Sequence, residues 1–278
     1  MNLLNIFRMN SLIKKLYTLA MFNKYDVNTY GKLNLVESKE RISRISNLLC
    51  VQNLEENRYI RFGDSSDGGY VLANNISDRD VCISIGIGDN ISFDRSISSL
   101  VSNIFMYDHT IAEIDHNIPN ALFIRMGLSK EEKPGFIRLY DCVGDISDSK
   151  EIILKIDIEG DEWGIIAEVD EKILLRCKQI VIEFHHLQNF RIDEHYHDMI
   201  STLENLNKNH SLINIHPNNW ANFDVILNSP IPDVVEVTYL RKDLIGEDSD
   251  YIRLQNSNRN SPNNIAALDI DMNFSKNL

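Results

Sequence analysis

Six short apolar runs, each stopping at a glycine, an acid or a histidine, constrain this chain more than any other feature. They are Val81–Ile85 before Gly86, Ile104–Tyr107 before Asp108, Ala121–Met126 before Gly127, Ile152–Ile156 before Asp157, Ile180–Phe184 before His185, and Leu212–Ile215 before His216. Nearly continuous apolar runs of this length read as strands buried on both faces. Val234–Leu240 alternates and supplies a seventh strand. The stretches between them are helix-sized. Ser92–Val101 begins with Ser92 or Asn90 as a cap. Asp161–Cys177 carries Trp163, Ile166, Ile173, Leu174 and Cys177 on one face, with acids early and Lys172 and Arg176 late. Asp193–His210 is a third. Strand–helix alternation of this kind predicts βαβ units and a mostly parallel α/β sheet.

The chain is 278 residues long and 43% hydrophobic, enough for one large domain with a true core and too apolar for a disordered polymer. Its net charge of −13 gives no basic face for nucleic acid, so no nucleic-acid partner is expected. That charge is unevenly spread. Residues 1–44 hold eight basic and three acidic residues, a net +5, which leaves −18 for the remainder. Leu3, Leu4, Phe7, Leu12, Leu16, Leu19 and Ala20 recur at helical spacing there, but Arg8 and the Lys14–Lys15 pair break every apolar run well short of the ~20 residues that span a bilayer. The expectation is a basic amphipathic helix that covers the domain, with peripheral membrane contact as the competing role. No secretory leader is read there. Cys50, Cys82, Cys142 and Cys177 are far apart with no CxxC pair, which points to buried thiols in a reducing, cytoplasmic compartment. The Asn-rich stretch from Asn256 reads as a loose polar tail.

In a parallel sheet, ligands bind beyond the carboxyl ends of the strands. Those ends hold Gly86-Ile-Gly88-Asp89, Asp108-His109, Gly127-Leu128, Asp157-Ile-Glu159-Gly160, Glu183-Phe-His185-His186 and His216-Pro-Asn-Asn219. Gly86 and Gly88 allow a sharp turn and close ligand approach. Asp108 follows at the next strand tip, where a carboxylate can accept both hydroxyls of a ribose. Asp89 inside the turn would repel a pyrophosphate, and Ile91 stands where a dinucleotide fingerprint wants Gly or Ala. These features favour a cationic nucleoside such as S-adenosylmethionine over a nicotinamide dinucleotide. No P-loop pattern occurs.

The fourth and fifth strand ends carry the reactive side chains. Asp161 and Glu162 are explained by helix capping; Asp157 and Glu159 precede the helix and are not. Glu183 is a charge inside a very apolar strand, which requires a partner or a role. His185 and His186 follow it, on opposite sides if the strand continues.

The segment Ile153-Leu-Lys-Ile-Asp-Ile-Glu-Gly-Asp-Glu-Trp163 resembles the hallmark segment of FkbM-like, class I S-adenosylmethionine-dependent methyltransferases. Ser84-Ile-Gly-Ile-Gly-Asp89 and Ile180-Val-Ile-Glu-Phe-His-His186 match as well. So do Arg61-Phe-Gly, Asp67-Gly-Gly-Tyr70, His216-Pro-Asn-Asn219 and Glu236-Val-Thr-Tyr239, over roughly residues 60–242. The resemblance implies a Rossmann-like, doubly wound seven-stranded sheet whose last strand is antiparallel. It also implies O-methylation of sugar or polyketide hydroxyls. By matching position, Gly86, Gly88 and Asp89 are the cofactor loop, Asp108 the ribose carboxylate, Gly127 and Leu128 the adenine side, and Asp157 the acid near the methionine moiety. Asn90 and Ile91 depart from the acidic or small residues expected after that loop. The expected divisions are a helical N-terminal extension (1–50), a methyltransferase domain (51–245) and a polar tail (246–278).

Methyl transfer is an in-line displacement, and a sugar hydroxyl needs a base or a metal to become a nucleophile. His185 or His186 oriented by Glu183, His216, and Asp157 are the candidate catalytic groups. Asp157, Glu183 and one histidine can alternatively bind a divalent metal ion. Glu159, Trp163 and Asn219 are candidates for holding the acceptor. The expected substrate is a sugar, a nucleotide-activated sugar or a surface-polysaccharide precursor, in an Asn- and Ile-rich chain of bacterial composition; a homodimer is left open. A nicotinamide-dependent oxidoreductase and a non-catalytic nucleoside-binding module are the alternatives.

Overall fold

A computed structural model describes residues 33, 35–114, 117–226, 229–246, 251–252 and 259–269. The amphipathic segment of the first 20 residues lies outside them. Seven strands form the central sheet: β1 (Val81–Ile85), β2 (Asn103–Tyr107), β3 (Ala121–Ile124), β4 (Ile152–Ile156), β5 (Cys177–Phe184), β6 (His210–Pro217) and β7 (Val235–Arg241). Their order is β6-β7-β5-β4-β1-β2-β3. Strands β3 to β5 pair in parallel through β2, β1 and β4, while β7 runs antiparallel to β5 and β6. The Rossmann-like sheet with an antiparallel last strand is therefore present as expected.

Alternation along each strand divides the core in two. Ile83, Ile85, Leu154, Ile156, Ile180, Ile182 and Phe184 face one cluster, with α1 (Leu35–Leu48) and the helices after β4 and β5. Cys82, Ile104, Met106, Ile153 and Val181 face the other, with Phe93 and Ile97 of α2 (Ser92–Ile97) and Phe62, Tyr70 and Leu72. Both faces are covered, which is why the strands read as unbroken apolar runs. At about 1.5–3 kcal/mol per fully buried large apolar side chain, these two layers supply the dominant stabilising term.

The helical expectations need correcting in detail. Helix α2 stops at Ile97, and Asn90 Oδ1 receives the Ser92 N–H at 3.0 Å. A short helix, α3 (Leu139–Gly144), precedes β4. The expected helix over 161–177 is two, α4 (Glu162–Glu168) and α5 (Glu171–Leu175), broken at Val169 and restarted by the Asp170 side chain, which caps Lys172 N. Cys177 is not on a helix; it is the buried first residue of β5. Helix α6 (Asp193–Asn209) packs on α4, where Thr202 Oγ1 donates to Trp163 O and the Asn205 amide donates to Ile166 O and Val169 O. The Asn205 amide thereby reaches carbonyls at the break.

Two segments outside the sheet shape its carboxyl end. The hairpin Tyr59–Phe62 and Tyr70–Ala73 is clamped by the Gln179 amide, which bonds both Ala73 N and Ala73 O, and by Thr238 Oγ1 donating to Val71 O. The expected loose tail also needs correcting. Within residues 259–269, Asn260 pairs with Asn214, Asn264 N donates to Asn219 Oδ1, and Asp269 meets His216.

Candidate active site

A cavity of about 840 Å³ opens at the carboxyl ends of β1, β2, β4 and β5. That volume suits a ligand of nucleoside size together with part of a second molecule. Its walls include Gly86, Gly88, Asp89, Asp108, Gly127, Leu128, Asp157, Glu159, Glu183 and His185 from the expected residues. The structure brings all of these together. It leaves four others outside the lining: His186, His216, Trp163 and Asn219.

Gly86 shows why the loop after β1 has this sequence. It has φ +73°, and a Cβ there would lie 1.6 Å from the Asp157 carbonyl oxygen. Only glycine lets the two loops touch. Gly88, by contrast, faces open space. Asp108 is tied to this loop: Oδ2 accepts Gly88 N–H at 2.9 Å, and Oδ1 accepts the Thr110 N–H and hydroxyl at 2.7 and 2.6 Å. Partial burial acts to raise its carboxyl, but these hydrogen bonds prevail and hold it below the usual range. At the far side, Phe136 packs at 4.7 Å from His109, with Leu128 nearby in the wall.

The centre of the cavity is a cluster of acids around Tyr70. Its hydroxyl lies 3.1 Å from Asp157 Oδ2 and 3.3 Å from Glu183 Oε2. One hydroxyl carries one proton, so it can serve only one of the two carboxylates at a time. Glu183 is buried and its other oxygen accepts the Asn218 amide at 2.8 Å. Burial first, then the charges of Asp157 and Glu236, push the Glu183 carboxyl well above its ordinary value, against the pull of His185 and Asn218. Burial likewise raises Tyr70, helped by Asp157 and Glu183. Lys155, inside β4, donates to Gly86 O at 2.7 Å and reaches Asp157 Oδ2 at 3.3 Å. Tyr70 and Lys155 were missed in the sequence; a lysine inside the run Ile-Ile-Leu-Lys-Ile is the same kind of signal as Glu183 inside its strand.

His185 turns inward because β5 ends at Phe184. Its Nδ1 is 3.0 Å from Glu162 Oε1, and its Nε2 lies 3.3 Å from Glu159 and 3.9 Å from Glu183. Burial alone would lower its pKa; the hydrogen bond and charge of Glu162, with Glu183 and Asp157, lift it to about 9. The helix-capping account of residues 161–162 is corrected here. Asp161 makes no side-chain cap, whereas the fully buried Glu162 accepts the N–H groups of Ile158 and Gly160. His186 takes a left-handed conformation (φ +60°), half exposed, with Nδ1 3.7 Å from Asp233. Trp163 stacks on Phe184 at 3.8 Å and donates to His185 O, a core position. His216 sits between Glu236 and Asp269, 3.2 Å from each, and the Asn219 amide holds the 264–268 backbone.

Asp157 Oδ, Glu183 Oε and His185 ring nitrogen atoms all lie within 4.8 Å of one another, a spacing compatible with a metal ion. Among the described residues, no helix is long and apolar enough to cross a membrane.

Solved structures with a similar course of the chain include a candidate methyltransferase of Streptococcus mutans in complex with SAH (13% identity, 60% of this chain and 88% of that one, TM-score 0.35). They also include an rRNA methylase of Streptococcus thermophilus (13%, 60% and 89%, 0.35) and a dimethyladenosine transferase of Plasmodium falciparum (15%, 60% and 58%, 0.37). No curated protein matches the chain. The methyltransferase FkbM domain matches residues 51–209, from just before the hairpin to the end of α6, and so spans the glycine loop, Asp108, Asp157 and Glu183 together: the chain belongs to the FkbM methyltransferase family and is an S-adenosylmethionine-dependent methyltransferase.

Proposed function

We propose that this enzyme methylates a sugar hydroxyl, with Glu183 as the general base. The observation that carries the reading is Glu183 itself: a buried carboxyl at a strand tip, opening on the cavity, with burial and the charges of Asp157 and Glu236 pushing its pKa well above the ordinary value. A base so tuned suits removal of a proton from an unactivated hydroxyl.

The cavity fits the cofactor. Gly86 and Gly88 let the backbone approach a ligand, Asp89 adds negative charge beside them, and Asp108 stands ready for the ribose hydroxyls. Gly127, Leu128 and Phe136 form a partly apolar wall for the adenine. Asp157, braced by Lys155 and Tyr70, faces the methionine end. When bound, S-adenosylmethionine supplies a methyl group activated by positive sulfur, which passes to the acceptor oxygen as its bond to sulfur breaks. Glu183 takes the hydroxyl proton, Asn218 and Tyr70 hold its carboxylate in place, and the His185 imidazolium steadies the negative charge. His216 and Trp163 act on packing rather than on the reacting atoms, and His186, half exposed beside Asp233, does not line the cavity.

A second reading has specific support: Asp157, Glu183 and His185 can hold a divalent cation that acidifies the hydroxyl. It requires His185 to coordinate through a deprotonated Nε2. The four cysteines are unpaired, which fits work in the cytoplasm. Incubation with labelled S-adenosylmethionine and a sugar panel, with and without EDTA, tests all of this. Label in the sugar with EDTA present supports Glu183 as the base; label only without EDTA supports the cation; no label in any sugar overturns the substrate class.

A further inference from the structure

The mouth of the cavity carries an exposed aromatic side chain. Trp220 is 64% exposed and lines the cavity beside Ala221 and Val234. A large apolar ring left in water at a ligand site marks a contact surface. Its position is not accidental. Asn218 Oδ1 accepts the Trp220 N–H at 2.9 Å, while the same amide donates to Glu183 Oε1 at 2.8 Å. One side-chain amide therefore joins the backbone turn that carries Trp220 to the base's carboxylate. Trp220 and Glu183 line one cavity, so a ring laid on the indole shares that space with the base.

The charge of the cavity narrows what that ring can carry. Beyond Asp89 and Asp157, which are assigned above to the cofactor, Asp67, Glu159, Asp161 and Glu183 line it. Among the described lining residues the only lysines are Lys133 and Lys155, and there is no arginine. Lys155 is engaged by Gly86 O and Asp157, and Lys133 lies over the Phe136 ring at 3.8 Å, on the Gly127 side. A phosphate entering past Trp220 would meet these acids, and the one cation on that side, the His185 imidazolium, is already held among Glu162, Glu159 and Glu183. Like-charge juxtaposition of this kind is a device for rejecting wrong partners.

We propose that the acceptor is an uncharged or amine-bearing pyranose stacked on Trp220, and that phosphate-bearing and nucleotide-activated sugars are rejected. This rests on the carbohydrate reading above and narrows it. The pyranose presents its C–H face to the indole and its hydroxyl edge to Glu183; the acids around it accept hydrogen bonds from hydroxyl or ammonium groups.

The test is methyl transfer from labelled S-adenosylmethionine to two matched panels: methyl hexopyranosides, disaccharides and their 2-amino counterparts, against the same hexoses as nucleoside diphosphates. Wild type, Trp220→Ala and Trp220→Phe are compared, with SAH affinity measured by calorimetry for each. The expected result is at least a tenfold preference in kcat/KM for the phosphate-free panel. KM should rise about tenfold in Trp220→Ala and recover in Trp220→Phe, with SAH affinity unchanged throughout. Preference for the nucleotide panel, or an unchanged KM in Trp220→Ala, overturns the inference and leaves sugar methylation standing. Transfer to neither panel by protein that binds SAH overturns the carbohydrate reading itself.

Discussion

Glu162 and His185 form one buried pair, with Oε1 3.0 Å from Nδ1, and the same oxygen closes the loop after β4 through Ile158 N and Gly160 N. The pair fixes the proton on Nδ1 and turns Nε2 toward Glu159 and Glu183. His185 has a folded pKa of about 9 against 6.5 in the unfolded chain. A raised pKa of this sign stabilises the fold fully below pH 6.5, and the contribution is lost as pH rises through 9. Glu162→Gln removes the charge that raises it. We expect a loss of about 1.5–3 kcal/mol near neutral pH and a flatter stability profile between pH 6.5 and 9. Thermal unfolding across that range checks it; an unchanged slope would detach His185 from Glu162.

Glu183→Gln should lower kcat by a factor on the order of 10²–10⁴, the usual contribution of a positioned base, while SAH binding stays near wild type. With Glu183 as the proposed base, the acidic limb of the wild-type rate profile should report it, and activity should fall as pH drops through its raised pKa. Tyr70→Phe removes a donor shared with Asp157 and leaves the two carboxylates facing each other. Its acidic limb should move to higher pH. Rate–pH profiles for both variants decide this; a Tyr70→Phe profile identical to wild type would mean the hydroxyl does not touch the base in solution.

Asp108→Ala should weaken SAH binding by about 1–3 kcal/mol, through loss of charge-assisted contacts. Because Asp108 also anchors Gly88 N and Thr110, part of that loss is loosening of the glycine loop. Gly86→Ala is expected to be worse, since its methyl would collide with Asp157 O. Calorimetry with SAH on both variants measures the effect, and full affinity in either would move the cofactor elsewhere in the cavity.

Much of this arrangement was legible in the sequence for one physical reason: a strand covered on both faces must be apolar along its whole length, so its charged interruptions and its polar ends stand out. Glu183 was found that way, and Lys155, by the same rule, should have been. Tyr70 stands in the motif Asp67-Gly-Gly-Tyr70, but its place in the site was not legible, because it comes from a hairpin whose docking depends on Gln179 and Thr238, far along the chain. The break between α4 and α5 escaped because the apolar residues stay in helical phase across it. His216 and Trp163 share their strand-end neighbourhood with the reactive groups, and spacing does not say on which side of a strand tip a side chain turns. The segment 259–269 read as loose because asparagine lowers hydropathy; in the fold, those amides pair with strand-end groups that would otherwise be left unsatisfied.

That segment yields the last prediction. Asn263 is buried, and its amide donates to Glu236 Oε1 at 2.5 Å and to Asp67 Oδ1, in the cavity wall, at 3.1 Å. Beside it, burial would depress His216, but the hydrogen bonds of Asp269 and Glu236 raise its pKa to about 9. Its contribution is present below pH 6.5 and disappears as pH climbs through 9. A chain ending at residue 258 loses Asp269, Asn263 and Asn264 together. Glu236 keeps part of the His216 shift, so the truncated enzyme should lose stability chiefly at pH 6–7, and the gap to wild type should shrink toward pH 9–10. Asn263→Ala isolates the link to Asp67: it should cost about 1–3 kcal/mol, chiefly for the buried Glu236 carboxylate left short of a donor, and raise the acceptor KM through a displaced Asp67 without altering SAH affinity. Unfolding curves at pH 6.5 and 9.5, with KM for the best acceptor, test both; a gap that widens with pH would show that His216 is not held by Asp269.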